Sequence, residues 1–170
     1  MIAVGNCYHG KLNNGGVEMS GKIKIQDHIT ISRIDNSTGK VLSKIDLHNL
    51  VVNTGKVRVA QLLAGLNSNF FEYIAIGEGA SGGTGDPTVN DTELEAEVAR
   101  EIATITEPEA KKVKWSKIFS FSSGEVYDIT EAGIFDGAGS GTTMLDRFKF
   151  TAQSVDSDIS LKVEITITVA

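Results

Sequence analysis

The sequence predicts a mainly β protein: an antiparallel β-sandwich with two short α-helices, preceded by an N-terminal arm and a β-hairpin. Three observations lead to this fold class. Apolar and polar residues alternate over much of the chain, as in half-buried strands. The chain has 18 glycines and only 2 prolines, which favours many glycine turns. Short turns separate consecutive segments, and such turns imply antiparallel pairing.

The first 48 residues are expected to form an arm followed by a hairpin. Residues 1–20 have no clear period, and we interpret them as an extended arm that orders when it docks. Alternating isoleucines then predict a strand, and a polar turn follows at residues 35–40. Val41–Leu47 is predicted to be the second strand of the hairpin. The isoleucines of one parity are Ile23, Ile25, Ile29 and Ile31. We therefore expect residues 1–48 to serve attachment or assembly and residues 49–170 to form the β-sandwich.

Two helices are predicted in the second part. Thr54 can cap a helix over residues 55–64, and Gly65 lies at its expected end. Asn90 and Glu93 have the spacing of a capping box, which predicts a second helix over residues 91–100. This segment is acidic at its start, as the helix dipole prefers.

The rest of this part is predicted to be strands joined by glycine-rich loops. The longest loop covers residues 77–90, and residues 136–141 form a flexible tip. In the final segment, apolar and other residues alternate without interruption, which is typical of a strand with one face in the core. The predicted strands cover residues 70–76, 102–106, 113–121, 126–135, 144–150 and 159–169.

Composition excludes several classes of function. The net charge of −6 disfavours a general nucleic-acid binder, which usually has a basic face. No apolar run approaches the roughly 20 residues that span a bilayer. The N-terminus lacks the pattern of a secretory signal, so we expect synthesis in the cytoplasm. Cys7 is the one cysteine, which excludes an internal disulfide, and we interpret it as an ordinary thiol.

Two motifs suggest ligand chemistry. Residues 77–82 have the G-x-G-x-x-G spelling, but no helix opens directly after them to receive a pyrophosphate, so a surface loop is favoured. Asp86, Asn90 and Asp91 offer oxygen ligands for calcium, without the regular spacing of an EF-hand. Turn formation and capping explain the same three residues, so we expect no metal site.

The remaining polar and aromatic groups also favour structural roles. His9, His28 and His48 form no close pair of metal ligands. Glutamates 93, 95 and 97 are expected to form the solvated face of a helix. An aromatic face of Trp115, Phe119 and Phe121 could stack bases or sugars, but core packing is favoured. We therefore expect no enzyme, no cofactor and no catalytic residues.

Five short segments follow one another in a fixed order, and we call them the five ordered segments. They are Asn-Leu-Val-Val-Asn at 49–53, Tyr-Ile-Ala-Ile-Gly at 73–77, Asp-Thr-Glu-Leu-Glu at 91–95, Ile-Thr-Glu-Ala-Gly-Ile-Phe at 129–135 and Thr-Met-Leu-Asp-Arg at 143–147. This order resembles a module common among virion proteins of tailed bacteriophages, of the tail-fibre-like, baseplate or head-appendage kind. The resemblance covers about residues 48–170 and leaves residues 1–47 outside.

The resemblance implies a structural subunit of the phage particle, in a tail, neck or capsid appendage. Its implied partners are other virion proteins and copies of itself, as a homo-oligomer, with no nucleic acid and no membrane. It implies no catalytic, cofactor or metal residues, and a final location in the virion. The alternative is a receptor- or glycan-binding tip that uses the loops at residues 77–90 and 136–142.

Overall fold

The computed structural model describes residues 25–48, 50–79 and 85–169. In these residues the chain forms ten strands and one helix. The elements in chain order are β1 (Ile25–Asp35), β2 (Val41–Leu47), β3 (Leu50–Val51), α1 (Asn53–Leu63), β4 (Tyr73–Gly77), β5 (Glu97–Ile102), β6 (Thr104–Thr106), β7 (Lys112–Phe119), β8 (Tyr127–Phe135), β9 (Met144–Val155) and β10 (Ile159–Val169).

The strands form two five-stranded sheets in which every pairing is antiparallel. Sheet A has the order β2-β1-β10-β7-β6, and sheet B has the order β3-β9-β8-β4-β5. The chain crosses from sheet B to sheet A between β5 and β6, where Ala103 N donates to Glu72 O at 2.8 Å. The predicted β-rich, antiparallel class is confirmed.

One apolar core lies between the two sheets and gives a sandwich-like arrangement. Ile31 and Ile165 of sheet A and Ile76 and Ile134 of sheet B belong to this core, and all four are fully buried. Burial of each such side chain stabilises the fold by about 1.5–3 kcal/mol. The core residues of β10 are every second residue of the strand, so the prediction that one face of this strand lies in the core is confirmed.

The hairpin of β1 and β2 is an integral part of sheet A. Asp35 Oδ1 accepts hydrogen bonds from the backbone N–H groups of Ser37 and Thr38 at 3.0 and 2.8 Å, and Gly39 takes a φ of 70°. β1 then pairs with β10 over its whole length, from Ile25 to Asp35. The hairpin strands therefore share a sheet with strands from the second part of the chain. The arm expected over residues 1–20 lies outside the described residues.

Helix α1 packs at the margin of the core, and its predicted position is confirmed to within two residues, although Val52 is the N-cap and Thr54 lies inside the helix. Gly55 approaches strand β9 so closely that an added Cβ would lie 2.4 Å from Leu145 O. Val59 and Leu62 pack against the core, whereas Val57 and Leu63 are exposed. No helix in the described ranges is long and apolar enough to cross a membrane.

The second predicted helix, over residues 91–100, is wrong. Residues 91–96 form irregular structure and bends, and the chain enters β5 at Glu97. The acidic residues that resemble a helix start bind distant groups instead: Asp91 pairs with Arg147 at 2.7 Å. These long-range contacts override the local preference, which is weak for any single helix.

Several strand boundaries also differ from the prediction, and β9, for example, extends to Val155. β4 starts at Tyr73, and Phe70 is 61% exposed before it. The segment at 102–106 is divided between the end of β5 and β6 because the chain changes sheets there. Each difference lies at a strand end, where apolar pattern alone fixes the boundary least well.

Candidate functional site

The segment from residue 85 to 96, which we call the strap, covers the outer face of sheet B. Ala75 lies between two core residues of β4, so its side chain points to the opposite face of the sheet. There it packs with Leu94 of the strap in a second apolar cluster. Asn53 N also donates to Val89 O at 2.7 Å, which fixes the strap beside α1. The other members of this cluster are Val52, Phe135, Met144 and Tyr73.

Arg147 of β9 lies under the strap and binds three carboxylates. Its side chain is only 4% exposed. Nε donates to Glu131 Oε2 at 2.8 Å, and Nη1 donates to Asp91 Oδ2 at 2.7 Å. Nη2 lies 2.9 Å from Glu95 Oε1, a close ion pair without hydrogen-bond geometry. We call these four residues the Arg147 cluster.

Glu131 connects the sheet to the backbone of the strap. Its side chain has no exposed surface. While Oε2 accepts from Arg147, Oε1 accepts from the backbone N–H groups of Glu95 and Ala96 at 2.8 and 3.1 Å. Both carboxylate oxygens are therefore occupied. A buried carboxylate that is paired and hydrogen-bonded at both oxygens has the features of a structural group.

The electrostatics favour the charged forms of Arg147 and Asp91. Burial alone would lower the pKa of the Arg147 guanidinium, but its hydrogen bonds to Asp91 and Glu131 and its ion pair with Glu95 raise that pKa above the ordinary value. Burial also raises the pKa of Asp91, yet hydrogen bonds from Thr88 and Arg147 outweigh it and lower that pKa. The cluster thus holds one guanidinium among three acidic side chains.

The five ordered segments meet at this cluster. The third, fourth and fifth segments supply Asp91 and Glu95, Glu131, and Arg147 respectively. The first segment reaches it through β3, in which Leu50 pairs directly with Arg147 in the sheet register. The second ends at Gly77, where an added Cβ would lie 2.9 Å from Glu131 Oε1. The order in the sequence thus corresponds to one contiguous region of the structure.

Two glycines allow the close packing of this region. At Gly77 an added Cβ would lie 2.6 Å from Ala96 O, in the backbone of the strap. At Gly133, on β8, it would lie 2.6 Å from Asp146 O. Neither backbone atom can move without shifting its own strand or the strap. Both positions therefore require glycine because of space, and this explains their place in the ordered segments.

The loop at residues 136–142, of which residues 136–141 were expected to be flexible, is held in place by two arginines. Arg100 Nη1 donates to Gly137 O and Gly139 O, each at 3.2 Å, and its guanidinium lies 3.6 Å from the centre of the Phe135 ring. Arg58 of α1 pairs with Asp136 at the base of the tip. A depression of about 190 Å³ beside the tip is lined in part by Arg100, whose donors are used in these internal bonds.

The candidate cation ligands lie in separate interactions. Asp86 pairs with Lys149 at 2.7 Å, and Asn90 Oδ1 accepts from Asn53 Nδ2 at 3.1 Å. Asp91 binds Arg147 and Thr88. Over the described part of the chain, no group of three or more His, Cys, Asp or Glu side chains has the arrangement to hold a metal ion.

The nucleotide-like motif at 77–82 falls partly outside the described residues. From residue 85 onward the chain continues as the strap, without a helix that could present its N-terminus to a pyrophosphate. Gly77 itself is explained by its contact with the strap and with Glu131. The favoured interpretation as a loop remains a prediction for residues 80–84.

The two described histidines, His28 and His48, lie at the surface with their ring centres 6.0 Å apart. His28 Nε2 lies 3.3 Å from Asp46 Oδ1, and His48 Nδ1 lies 2.6 Å from Asp27 O. Both side chains are more than half exposed. His9 and Cys7 lie outside the described residues.

The aromatic face is part of the core, as expected. Trp115 and Phe119 are 8% and 1% exposed, and Trp115 Nε1 donates to Phe71 O at 2.7 Å. Phe121 is half-buried and packs on Tyr127 with ring centres 5.6 Å apart. These side chains are therefore not available as a stacking surface.

The solvated helical face predicted for glutamates 93, 95 and 97 is wrong. No helix forms there, and the three side chains have different surroundings. Glu95 contacts Arg147 at 2.9 Å, and Glu97 pairs with Arg100. Long-range pairing again replaces the local pattern.

The Arg147 cluster was not predicted, although the sequence contains a signal for it. Glu131 interrupts the run Ile-Thr-Glu-Ala-Gly-Ile-Phe, in which both parities are mostly apolar. Arg147 follows Met-Leu-Asp in a similar context. A charged residue in a strand buried on both faces must be paired, so two such strands of opposite charge indicate an ion pair between them.

Comparisons with known protein families, with curated proteins and with solved structures find no match to this chain.

Proposed function

We propose that this chain is a structural subunit of a tailed-phage particle, in a tail, neck or capsid appendage, where it assembles with other virion proteins and with copies of itself. In this proposal it is a β-sandwich module without catalytic residues or a cofactor, and it ends in the virion. The observation that carries the proposal is the convergence of the five ordered segments on the Arg147 cluster. The segments on which the resemblance rests form one packed unit, as a family-defining structural motif should.

The chemistry of the cluster supports a structural role. The buried carboxylate of Glu131 has both oxygens occupied, and its Arg147 partner binds three acids. A general acid or base needs a site where a proton on a substrate can reach it. Glu131 offers no such site, because its side chain is fully buried. The residues instead fasten the strap to sheet B.

An exposed apolar surface supports assembly through protein contacts. It lies on α1 and on the segment that follows, and residues 59–71 contain no charged side chain. Leu63, Leu66 and Phe70 are 76%, 78% and 61% exposed, and Val57 on α1 is 58% exposed. We call these four residues the α1 surface. Exposed apolar side chains in such number are typical of a protein contact site, and the uncharged stretch at residues 59–71, which contains three of the four, fits a partner that is itself apolar and uncharged.

The alternative is a receptor- or glycan-binding tip. The tip loop at residues 136–142 has the position for such a role, but Arg100 and Arg58 already bind its carbonyl and carboxylate groups. Sugar recognition needs free polar groups beside an apolar surface. The structural role is therefore the better supported of the two.

The test is an inventory of purified particles. Particles from the source culture would be purified on two successive density gradients, digested and examined by quantitative mass spectrometry. The proposal expects peptides of this chain to remain in the particle fraction at a fixed ratio to the major capsid protein. Peptides confined to the soluble lysate would contradict it. A deletion strain separates the two roles. If the chain is present at a fixed ratio, but particles without it assemble normally and fail to adsorb to the host, the binding tip is favoured.

A further inference from the structure

The outer edge of strand β2 has the properties of a pairing surface. β2 pairs with β1, and among the described residues no strand pairs with its other edge. Every second backbone N–H and C=O group of an edge strand points away from its sheet and is free to pair with another chain. Strand addition to such an edge is a common mode of protein recognition.

β2 lacks most of the features that block edge pairing. Over residues 43–47 its register with β1 is regular, and the one irregularity lies at the other end, beside Arg33 and Ile34. The strand has seven residues and contains no proline. Natural edge strands are usually short, bulged or interrupted by proline or inward charges. β2 carries two charged residues, Lys44 and Asp46, which have opposite signs.

Lys44 and Asp46 lie on the outer face of sheet A. They pair in register with Ser32 and Thr30, whereas the residue between them, Ile45, pairs with the core residue Ile31. Lys44 Nζ lies 3.0 Å from Asp46 Oδ2, and the two side chains are 55% and 44% exposed. Both charges are therefore accessible at the edge.

We propose that β2 pairs with β2 of a second copy of this chain, antiparallel about a two-fold axis at Ile45, with Lys44 of each copy opposite Asp46 of the other. The argument is charge complementarity. A two-fold axis perpendicular to the sheet requires one residue to lie opposite itself. An axis at Lys44 places two lysines opposite each other, and an axis at Asp46 places two aspartates opposite each other. Like charges directly opposite destabilise a strand pair, and the register centred at Ile45 gives two opposite-charge pairs.

The core side of β2 fits the same register. Ile45 and Leu47 are half-buried residues that pack on the core from one side. In the proposed pair, Ile45 lies beside its own copy, and Leu47 lies opposite Ser43. The apolar row at the edge of each core is thereby covered by the same row of the partner, and the two copies of sheet A become one continuous sheet. Burial of this row and the new backbone hydrogen bonds would both stabilise the pair.

This inference deepens the proposed function by naming one surface between copies, and it is tested separately on the purified full-length chain. Sedimentation equilibrium over a range of protein concentrations would measure association of the wild type and of three variants. Lys44→Glu should weaken the dimer at least about tenfold, because it places acids opposite acids. The charge exchange Lys44→Glu with Asp46→Lys should restore it. Lys40→Glu makes the same charge change in the hairpin turn and should leave association unchanged.

A cysteine probe gives a second measurement that does not depend on the charges. Ile45→Cys in a Cys7→Ser background should form a disulfide between two copies under mild oxidation, since directly opposite residues in a strand pair have Cα atoms within disulfide range. Lys40→Cys in the same background should not. A monomeric wild type, a dimer insensitive to Lys44→Glu, or failure of the charge exchange to restore association would overturn the proposed pairing. Any of these results leaves the particle inventory unaffected.

Discussion

Arg147 Nε donates to Glu131 Oε2 at 2.8 Å, and both side chains are at most 4% exposed. The two residues lie on neighbouring strands of sheet B, β9 and β8. Their contact joins two of the five ordered segments, and the other acids of the cluster bring in a third. The pair therefore connects the sequence pattern to the fold.

Loss of Arg147 is expected to be severe. Arg147→Met leaves three acids without their cation, and removal of one partner of a buried ion pair costs about 3–5 kcal/mol. Arg147→Lys should also destabilise the protein, because an ammonium group cannot reproduce the planar set of donors. The measurement is the free energy of unfolding from urea titration.

Lys149→Met is the matched control for Arg147. Lys149 lies on the same strand, but its pair with Asp86 is exposed, with side chains 40% and 89% accessible. Exposed pairs contribute about 0–1 kcal/mol, so this variant should stay close to the wild type. Equal stability of the Arg147→Met variant and the control would show that the cluster does not hold the fold.

Glycine substitutions test the close packing beneath the strap. Gly77→Ala and Gly133→Ala each place a Cβ 2.6 Å from a backbone carbonyl oxygen, so each should cost about 1–3 kcal/mol. Gly139→Ala is the control, because an added Cβ there meets nothing within 4 Å. Thermal melting of the three variants would check this. A melting temperature of Gly133→Ala equal to that of Gly139→Ala is the result that contradicts it.

Acid should weaken the hairpin turn through Asp35. Hydrogen bonds from Ser37 and Thr38 lower the pKa of Asp35 to about 2, from an ordinary value of 3.8. Because the folded pKa is the lower one, the unfolded chain binds more protons between these values, and the stabilisation is lost as the pH falls through them. Asp35→Asn cannot ionise, so its deficit relative to the wild type should be largest above about pH 4 and should shrink toward about pH 2. A deficit that stays constant over this range would exclude Asp35 as the titrating group.

The α1 surface is expected to act in assembly and not in folding. Leu63→Glu and Leu66→Glu change side chains that are more than three-quarters exposed, so the melting temperature should change little. Incorporation into particles should fall, because a charge enters a contact with an apolar partner. Val126→Glu is the control, since Val126 is 72% exposed but lies in the turn before β8. Immunoblots of purified particles from complemented deletion strains provide the measurement, and normal incorporation of both leucine variants would exclude this surface.

Much of the fold could be predicted from local patterns. Ile29 and Ile31 alternate with polar residues, and β10 alternates over its whole length, so the strand period and the buried face followed directly. Gly39 and Asp35 marked the hairpin turn by their own chemistry. These elements depend on residues that are close together in the chain, so the sequence alone was enough to predict them.

The strap and the Arg147 cluster depend on distant partners and were therefore missed. Asn90, Asp91 and Glu93 have the spacing of a helix start, but the bond between Asp91 and Arg147 spans 56 positions of the chain. Burial of Glu131 likewise depends on strap backbone that lies 35 and 36 positions before it. Alternation within β8 cannot show which segment will cover its outer face. Only the pairing of the strands brings these groups together.

The central claim is that the Glu131–Arg147 pair holds the ordered segments together as one structural unit. The most direct test is a double-mutant cycle with Glu131→Gln, Arg147→Gln and the double variant, in which urea titration measures the free energy of unfolding. We predict a coupling energy of about 2 kcal/mol or more, since the two side chains share one buried hydrogen-bonded contact. Additivity of the two single effects within about 0.5 kcal/mol would contradict the claim.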